Sequence, residues 1–284
     1  MKIQIGHSPD SDDAFMFWGL AKEKVKSKFE YEHILKDIQT LNEWALEGRL
    51  ESSAVSAHAL AFISDKYSVL KHGGSFGDNY GPIIVSSENL TKEELKDTTI
   101  AVPGKMTSAF LTLNIYFHHI FNGKGKDYPK PKFEVVPFDR IIPEIEKGTY
   151  KAGLIIHEGQ LTYKDSNLYL IEDLGIWWKK ETGLPLPLGV NVIRKDLSQE
   201  NLDEISRCMK QSINLGLNNR EEALDYALQF ARDMDKKTSD TFVQMYVNDR
   251  TQDMGQEGMK AIHLLHKKGT EIGMIPETHV EFVD

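Results

Sequence analysis

His157 is the residue best placed to move a proton. It ends "AGLIIH" (152–157), where five small or apolar residues call for burial and the imidazole emerges with Glu158. Histidine titrates near neutrality, so one emerging at a ligand crevice is a candidate general base. A structural histidine would give the same pattern. The second feature is "AVPGKMTSAF" (101–110), where Pro103 and Gly104 stop a strand and Thr107 and Ser108 precede the apolar run "AFLTLNIYFHHIF". Hydroxyls and unpaired N–H groups at a helix start suit a carboxylate. Ordinary capping by Thr107 or Ser108 explains the same residues, and the two readings are compatible. The third is "GHSPDSDD" (6–13), in which Ser8 and Asp10 precede Asp12 and Asp13. Its residues suit a helix start because Asp and Ser cap free N–H groups and acidic side chains favour the positive end of the helix dipole.

These stretches, with "AVSAHA" (54–59), share a location: each comes at or just after the carboxyl end of a predicted strand. In open α/β sheets the ligand crevice lies at those ends. The short apolar segments 2–6, 52–56, 67–71 and 81–86 read as strands separated by helical patterns. Thr40 and Glu43 have capping-box spacing within "TLNEWALEG", as do Thr91 and Glu94 in "TKEELKD". At Thr98 the rhythm restarts: strand 98–102, helix 107–121, strand 133–137, helix 139–147, strand 152–157. "LPLPLGVNVIRKDL" (184–197) supplies one more strand. From Ser198 onward four helical segments are predicted, with no clear strand between them.

At 284 residues the chain can bury the core of one large or two ordinary domains. A net charge of −9, with Lys and Arg scattered, gives no footprint for nucleic acid. No stretch approaches the roughly 20 apolar residues that span a bilayer, so no membrane partner is expected. No apolar leader follows Met1-Lys2, and the expected location is the cytoplasm. Cys208, the single cysteine, sits in a helical pattern and reads as a packing residue rather than a nucleophile.

Several motif matches fail on context. No Gly and terminal Glu follow Asp10, Asp12 and Asp13 at calcium-loop spacing, so capping is the better reading. "GGSFG" (73–77) matches a nucleophile elbow, but a turn follows it instead of a helix. His118 and His119 are adjacent and face different ways, while His263 and His266 read as a solvated helix end. No metal is expected. Neither a Walker loop nor G-x-G-x-x-G is present, which leaves nucleotide cofactors without support. Trp177-Trp178 and "TGLPLPLG" (182–189) read as packing or hinge residues rather than a ligand-stacking surface.

Taken together, "SPDSDDAFMF", "DIQTLNEWALEGRL", "AVPGKMTSAFLTL", "AGLIIHEGQLTY", "DLGIWWKKETGLPLPLG" and "EEALDYA" resemble, in order and spacing, the 1,4-dihydroxy-6-naphthoate synthases of the futalosine route to menaquinone. The resemblance runs from about residue 3 to at least residue 250. It implies an α/β, two-lobed periplasmic-binding-protein-like (type 2) fold with an interlobe cleft, residues 1–97 and 195–284 forming one lobe and 98–194 the other. It also implies a cytoplasmic lyase that splits cyclic de-hypoxanthine futalosine, a small carboxylate-bearing substrate, without metal or organic cofactor. By position, His157 matches the proton-abstracting histidine. Ala54, Val55 and Ser56 match a substrate-contacting strand end, and Thr107 and Ser108 match the pair that holds the ligand at a helix start. Ser8 and Asp10 are expected to line the cleft from the first lobe. Many relatives carry "SPCPND" where this chain has "SPDSDD", which adds carboxylates near a site expected to receive an anion. Two rival readings share the architecture: a non-catalytic solute-binding protein and a chorismate dehydratase. The "GLIIHE" stretch favours the lyase.

Overall fold

The computed structural model describes residues 2–231 and 235–284. The chain opens with β1 (Lys2–His7), α1 (Ser11–Ala21), β2 (Glu30–Leu35), α2 (Ile38–Glu47), β3 (Ser52–Ser56), α3 (Leu60–Ile63), β4 (Tyr67–Leu70) and β5 (Ser75–Gly77). It continues through β6 (Ile83–Ser86), α4 (Lys92–Asp97), β7 (Thr99–Val102), α5 (Ser108–Ile120), β8 (Lys132–Val135), α6 (Ile141–Glu146), β9 (Ala152–Ile155), α7 (Gly159–Thr162), β10 (Tyr169–Asp173) and α8 (Leu174–Thr182). After β11 (Leu186–Arg194) come α9 (Gln199–Asn218), α10 (Arg220–Ala227), α11 (Lys236–Tyr246), α12 (Asp249–Gln252), α13 (Gly255–Glu271) and β12 (Phe282–Val283).

Two compact units result. Met1–Phe76, Gly189–Met259 and Thr278–Asp284 form the first, and Gly77–Leu188 with Lys260–Glu277 the second. These boundaries differ from a division at Thr98 and Lys195. The restart of the α/β rhythm at Thr98 marks the end of α4, whereas β6, which precedes α4, pairs with β9 and β10 of the second sheet.

In the first unit the sheet order is β12-β4-β11-β3-β1-β2, with β5 beside β11. β1 runs parallel to β2 and β3, while β11 lies antiparallel between β3 and β4. β12, a strand in the tail read as wholly helical, pairs parallel with β4. α1 is buried almost throughout its length and packs on α9, α10 and α11, which explains why "AFMFWGL" is apolar on every face. Burying Phe15, Met16 and Phe17 contributes about 2 kcal/mol each. Ser212 of α9 ties the contact, donating to the Met16 carbonyl at 2.8 Å and accepting from the Leu20 N–H. Cys208 is buried in this core and forms no disulfide.

The second unit is a sheet in the order β10-β6-β9-β7-β8. β9, β7 and β8 run parallel, and β6 and β10 add antiparallel pairs at one edge. Ile83, Val85, Ala101, Ile141, Ile145 and Ile155 form a core between this sheet and α6. α8, absent from the sequence reading, begins where the Asp173 carboxylate caps the N–H groups of Gly175 and Ile176. Gly175 is required there, because a Cβ would lie 1.9 Å from the Tyr80 carbonyl oxygen.

Candidate active site

In the second unit, β7 and β9 are parallel neighbours, with Ile100 opposite Ala152 and Ala101 opposite Gly153. Adjacent strands lie roughly 4.8 Å apart, so the segments leaving their carboxyl ends start side by side. One leads to Thr107 and α5, the other to His157. β9 stops at Ile155, two residues earlier than the pattern suggested, and His157 occupies the turn that follows. Its φ of 53° lies in the left-handed region, which costs a non-glycine residue about 1 kcal/mol. The ring is half-buried and tilts against Phe138, with centroids 4.8 Å apart. The turn is closed by the Gln160 N–H, which donates to the His157 carbonyl at 3.1 Å.

Thr107 is the N-cap of α5. Its hydroxyl accepts from the Phe110 N–H at 3.1 Å and donates to the Gly104 carbonyl at 2.9 Å. The Ser108 hydroxyl donates to the Leu188 carbonyl. Both hydroxyl protons are thus given to protein carbonyls, so anion-binding capacity here resides in the peptide N–H groups of the first helical turn and the dipole behind them.

In the first unit, β1 and β3 are again parallel neighbours, with Gly6 opposite Ser53. Ser8 and Asp10 just after β1 and Ser56 at the end of β3 therefore lie at adjacent strand ends. The Ser8 N–H donates to Asp13 Oδ2 at 2.7 Å, and the Asp10 carboxylate caps α1 by accepting from the Asp13 N–H. Capping thus accounts for Asp10. Ala54 and Val55 lie within β3, paired with Asn191 and Val190, and the Ala54 side chain packs under α2 with Leu41 and Leu50. Ser56 is the last residue of the strand, held by Asn42 of α2. The cap of α2 is Asp37, which accepts from the Thr40 N–H at 3.0 Å, so Thr40 lies inside the first turn instead of capping it. The Thr91–Glu94 capping box forms as its spacing suggested.

The electrostatics of "HSPDSDD" are unusual for a helix start. Asp10, Asp12 and Asp13 are all buried and offer oxygens within 4.8 Å of one another. Burial first, and then the Asp10 charge, raises the carboxyls of Asp12 and Asp13 well above the ordinary carboxylate range. Asp12 Oδ1 has no hydrogen-bond partner. Next to them His7 stacks on Phe17 at 4.4 Å, and burial lowers its pKa to about 3, leaving it neutral. Its Nδ1 lies 3.2 Å from the Ser8 carbonyl, which can only accept, so Nε2 is the acceptor and His33 Nδ1 donates to it at 3.0 Å.

A family model described as menaquinone biosynthesis matches residues 3–271. A 1,4-dihydroxy-6-naphthoate synthase of Thermus thermophilus is 35% identical over 96% of this chain and 95% of its own length. The chain belongs to the menaquinone-biosynthesis family. A 1,4-dihydroxy-6-naphthoate synthase of Streptomyces coelicolor is 30% identical over the same shares. A crystal structure of a protein from Archaeoglobus fulgidus superposes with a TM-score of 0.89 at 40% identity, covering 96% of this chain and 98% of that one. At 13% identity, the alkanesulfonate-binding protein of Xanthomonas axonopodis, covering 97% of this chain and 94% of its own, reaches a TM-score of 0.70. The menaquinone-biosynthesis chain thus shares the periplasmic-binding-protein fold. Two residues of its candidate site escape a sequence reading, Asn42 and His33. Asn42 lies in the apolar stripe of α2 with Leu41 and Ala45, a polar group where a helix should be greasy, and that was the available signal. His33 sits in a strand of mixed polarity and gave none.

Proposed function

We propose that this chain is a carbon–carbon lyase that converts cyclic de-hypoxanthine futalosine into 1,4-dihydroxy-6-naphthoate, with His157 as the general base. The observation carrying the reading is that His157 occupies a left-handed turn at the carboxyl end of β9, beside the strand that feeds the start of α5, in a chain akin over nearly its whole length to two naphthoate synthases. The imidazole would take a proton from the substrate. The electron pair left behind would expel the sugar-derived fragment as the carbon–carbon bond breaks, the imidazolium would return the proton to the carbon that departs with the bonding pair, and formation of the aromatic ring would drive the step. The substrate carboxylate would rest on the first-turn N–H groups of α5, held away from the proton being removed. Ser56, Ser8 and Asp10 are proposed as further substrate contacts. The proposed location is the cytoplasm. Among the described residues no helix is long and apolar enough to cross a membrane.

Incubating the purified protein with cyclic de-hypoxanthine futalosine and following naphthoate absorbance tests the reading. Turnover is expected, and His157→Ala should keep its fold while losing at least about a hundredfold in kcat, within the range for a general base. Near-normal turnover by that variant would remove His157 from the mechanism. The shared fold with a sulfonate-binding protein keeps one rival in view: binding without turnover would favour a solute-binding role. Consumption of chorismate instead would point to a dehydratase.

A further inference from the structure

The contact between Asn42 and Ser56 fixes the direction in which the Ser56 hydroxyl can donate. Asn42 is wholly buried, and Oδ1 of its amide accepts from the Ser56 peptide N–H at 2.8 Å. A peptide nitrogen can only donate, so the atom facing it must be the amide oxygen. The other end of the same amide is then the NH2 group, which lies 2.9 Å from Ser56 Oγ. That group can only donate in its turn. Ser56 Oγ is therefore an acceptor toward Asn42, and its own hydrogen must leave on another bearing. Among the described residues no acceptor takes that hydrogen.

We propose that Asn42 is a positioning residue that sets the polarity of Ser56, turning its O–H away from the protein as a donor for an oxygen acceptor on the substrate, such as a carboxylate or carbonyl oxygen. The proposal rests on the reading above that Ser56 contacts substrate. A serine without this partner could rotate and serve as donor or acceptor. With Asn42 in place it discriminates, because a ligand bearing an N–H or O–H donor at this point would meet a hydrogen.

Asn42→Asp tests the polarity. A carboxylate keeps an acceptor for the Ser56 N–H but offers a second one to Ser56 Oγ, so the hydroxyl turns inward and its hydrogen is lost to the substrate. The expected result is a KM raised roughly tenfold in Asn42→Asp and in Ser56→Ala, with kcat little changed, the value expected for losing one neutral hydrogen bond. The double variant should have a KM no higher than either single one. A purely structural tie would instead lower the melting temperature and leave KM alone, or the two losses would multiply; either outcome overturns the proposal. Neutron diffraction on the deuterium-exchanged wild type gives a readout independent of turnover. The Ser56 deuterium should point away from Asn42, and one pointing toward it would refute the assignment even if Asn42→Asp fails to fold. If the wild type makes no naphthoate, the functional reading falls, and the neutron map still decides the hydroxyl's direction.

Discussion

At the scale of single residues, the "HSPDSDD" segment combines two opposite pH dependences. A buried carboxyl whose folded pKa is raised contributes stability that is fully present below its unfolded pKa, about 3.9, and lost as pH rises through the folded value. Asp12 and Asp13 are such groups. His7 runs the other way: with a folded pKa of about 3, its contribution is present above about 6.5 and lost as pH falls toward 3. Asp12→Asn replaces a buried carboxyl that must take up a proton to stay neutral, and whose Oδ1 has no partner, by a group that does not titrate. Its unfolding free energy should therefore exceed that of the wild type by a margin that grows as pH rises above about 4, with a slope of up to about 1.4 kcal/mol per pH unit, its melting temperature rising in step, while the acid limb set by His7 is unchanged. Thermal melts of both proteins between pH 4 and 8 check this. A margin that is constant or shrinks with pH would mean that the carboxyls are charged and compensated throughout. The sequence made the capping role of Asp10 legible, because cap and helix start are local. It did not reveal the mutual crowding of three carboxylates, since their burial comes from how α1 is enclosed by α9, α10 and α11, encoded nearly 200 residues later.

At the scale of elements, the start of α5 carries both a structural and a binding role. Thr107→Val removes the acceptor for the Phe110 N–H and the donor to the Gly104 carbonyl, and should cost about 1 kcal/mol of stability. If the helix start also receives the carboxylate, loosening the capped first turn misplaces its N–H groups, so KM rises while kcat holds, and Thr107→Ser restores both stability and KM. Unchanged KM in the valine variant would leave this helix end with capping alone. The strands and helices that were legible, β1, β3, β7, β9 and α5, are apolar runs bounded by Gly, Pro or hydroxyl residues. Those that were not have physical reasons for hiding. β2 is an edge strand whose sequence, "EYEHIL", mixes charge with apolar residues because it is only partly covered. Asp173 is both the last residue of β10 and the cap of α8, so no loop separates strand from helix. Asp37 outcompeted Thr40 as the cap of α2 because its carboxylate accepts from both the N–H and the hydroxyl of Thr40.

At the scale of the whole molecule, two sheets repeat one arrangement: parallel neighbours whose carboxyl ends release a polar segment into a helix start. The α/β class follows from the alternating rhythm, whereas a division into two lobes was only implied by the family resemblance, and the boundaries of the two units are not written in the local pattern. β6 belongs to the second sheet because its partners β9 and β10 come 66 to 90 residues later, from Ser86↔Ala152 to Ile83↔Asp173, and such pairing leaves no mark on a local pattern. Chain similarity places the molecule among menaquinone-biosynthesis proteins, and the chemistry then turns on whether His157 reaches the reacting carbon. A crystal structure with 1,4-dihydroxy-6-naphthoate bound tests this most directly. The product carboxylate is expected on the first-turn N–H groups of α5 and the His157 imidazole within about 3 Å, or one water, of the aromatic product. A product bound with that imidazole turned away into solvent would contradict it.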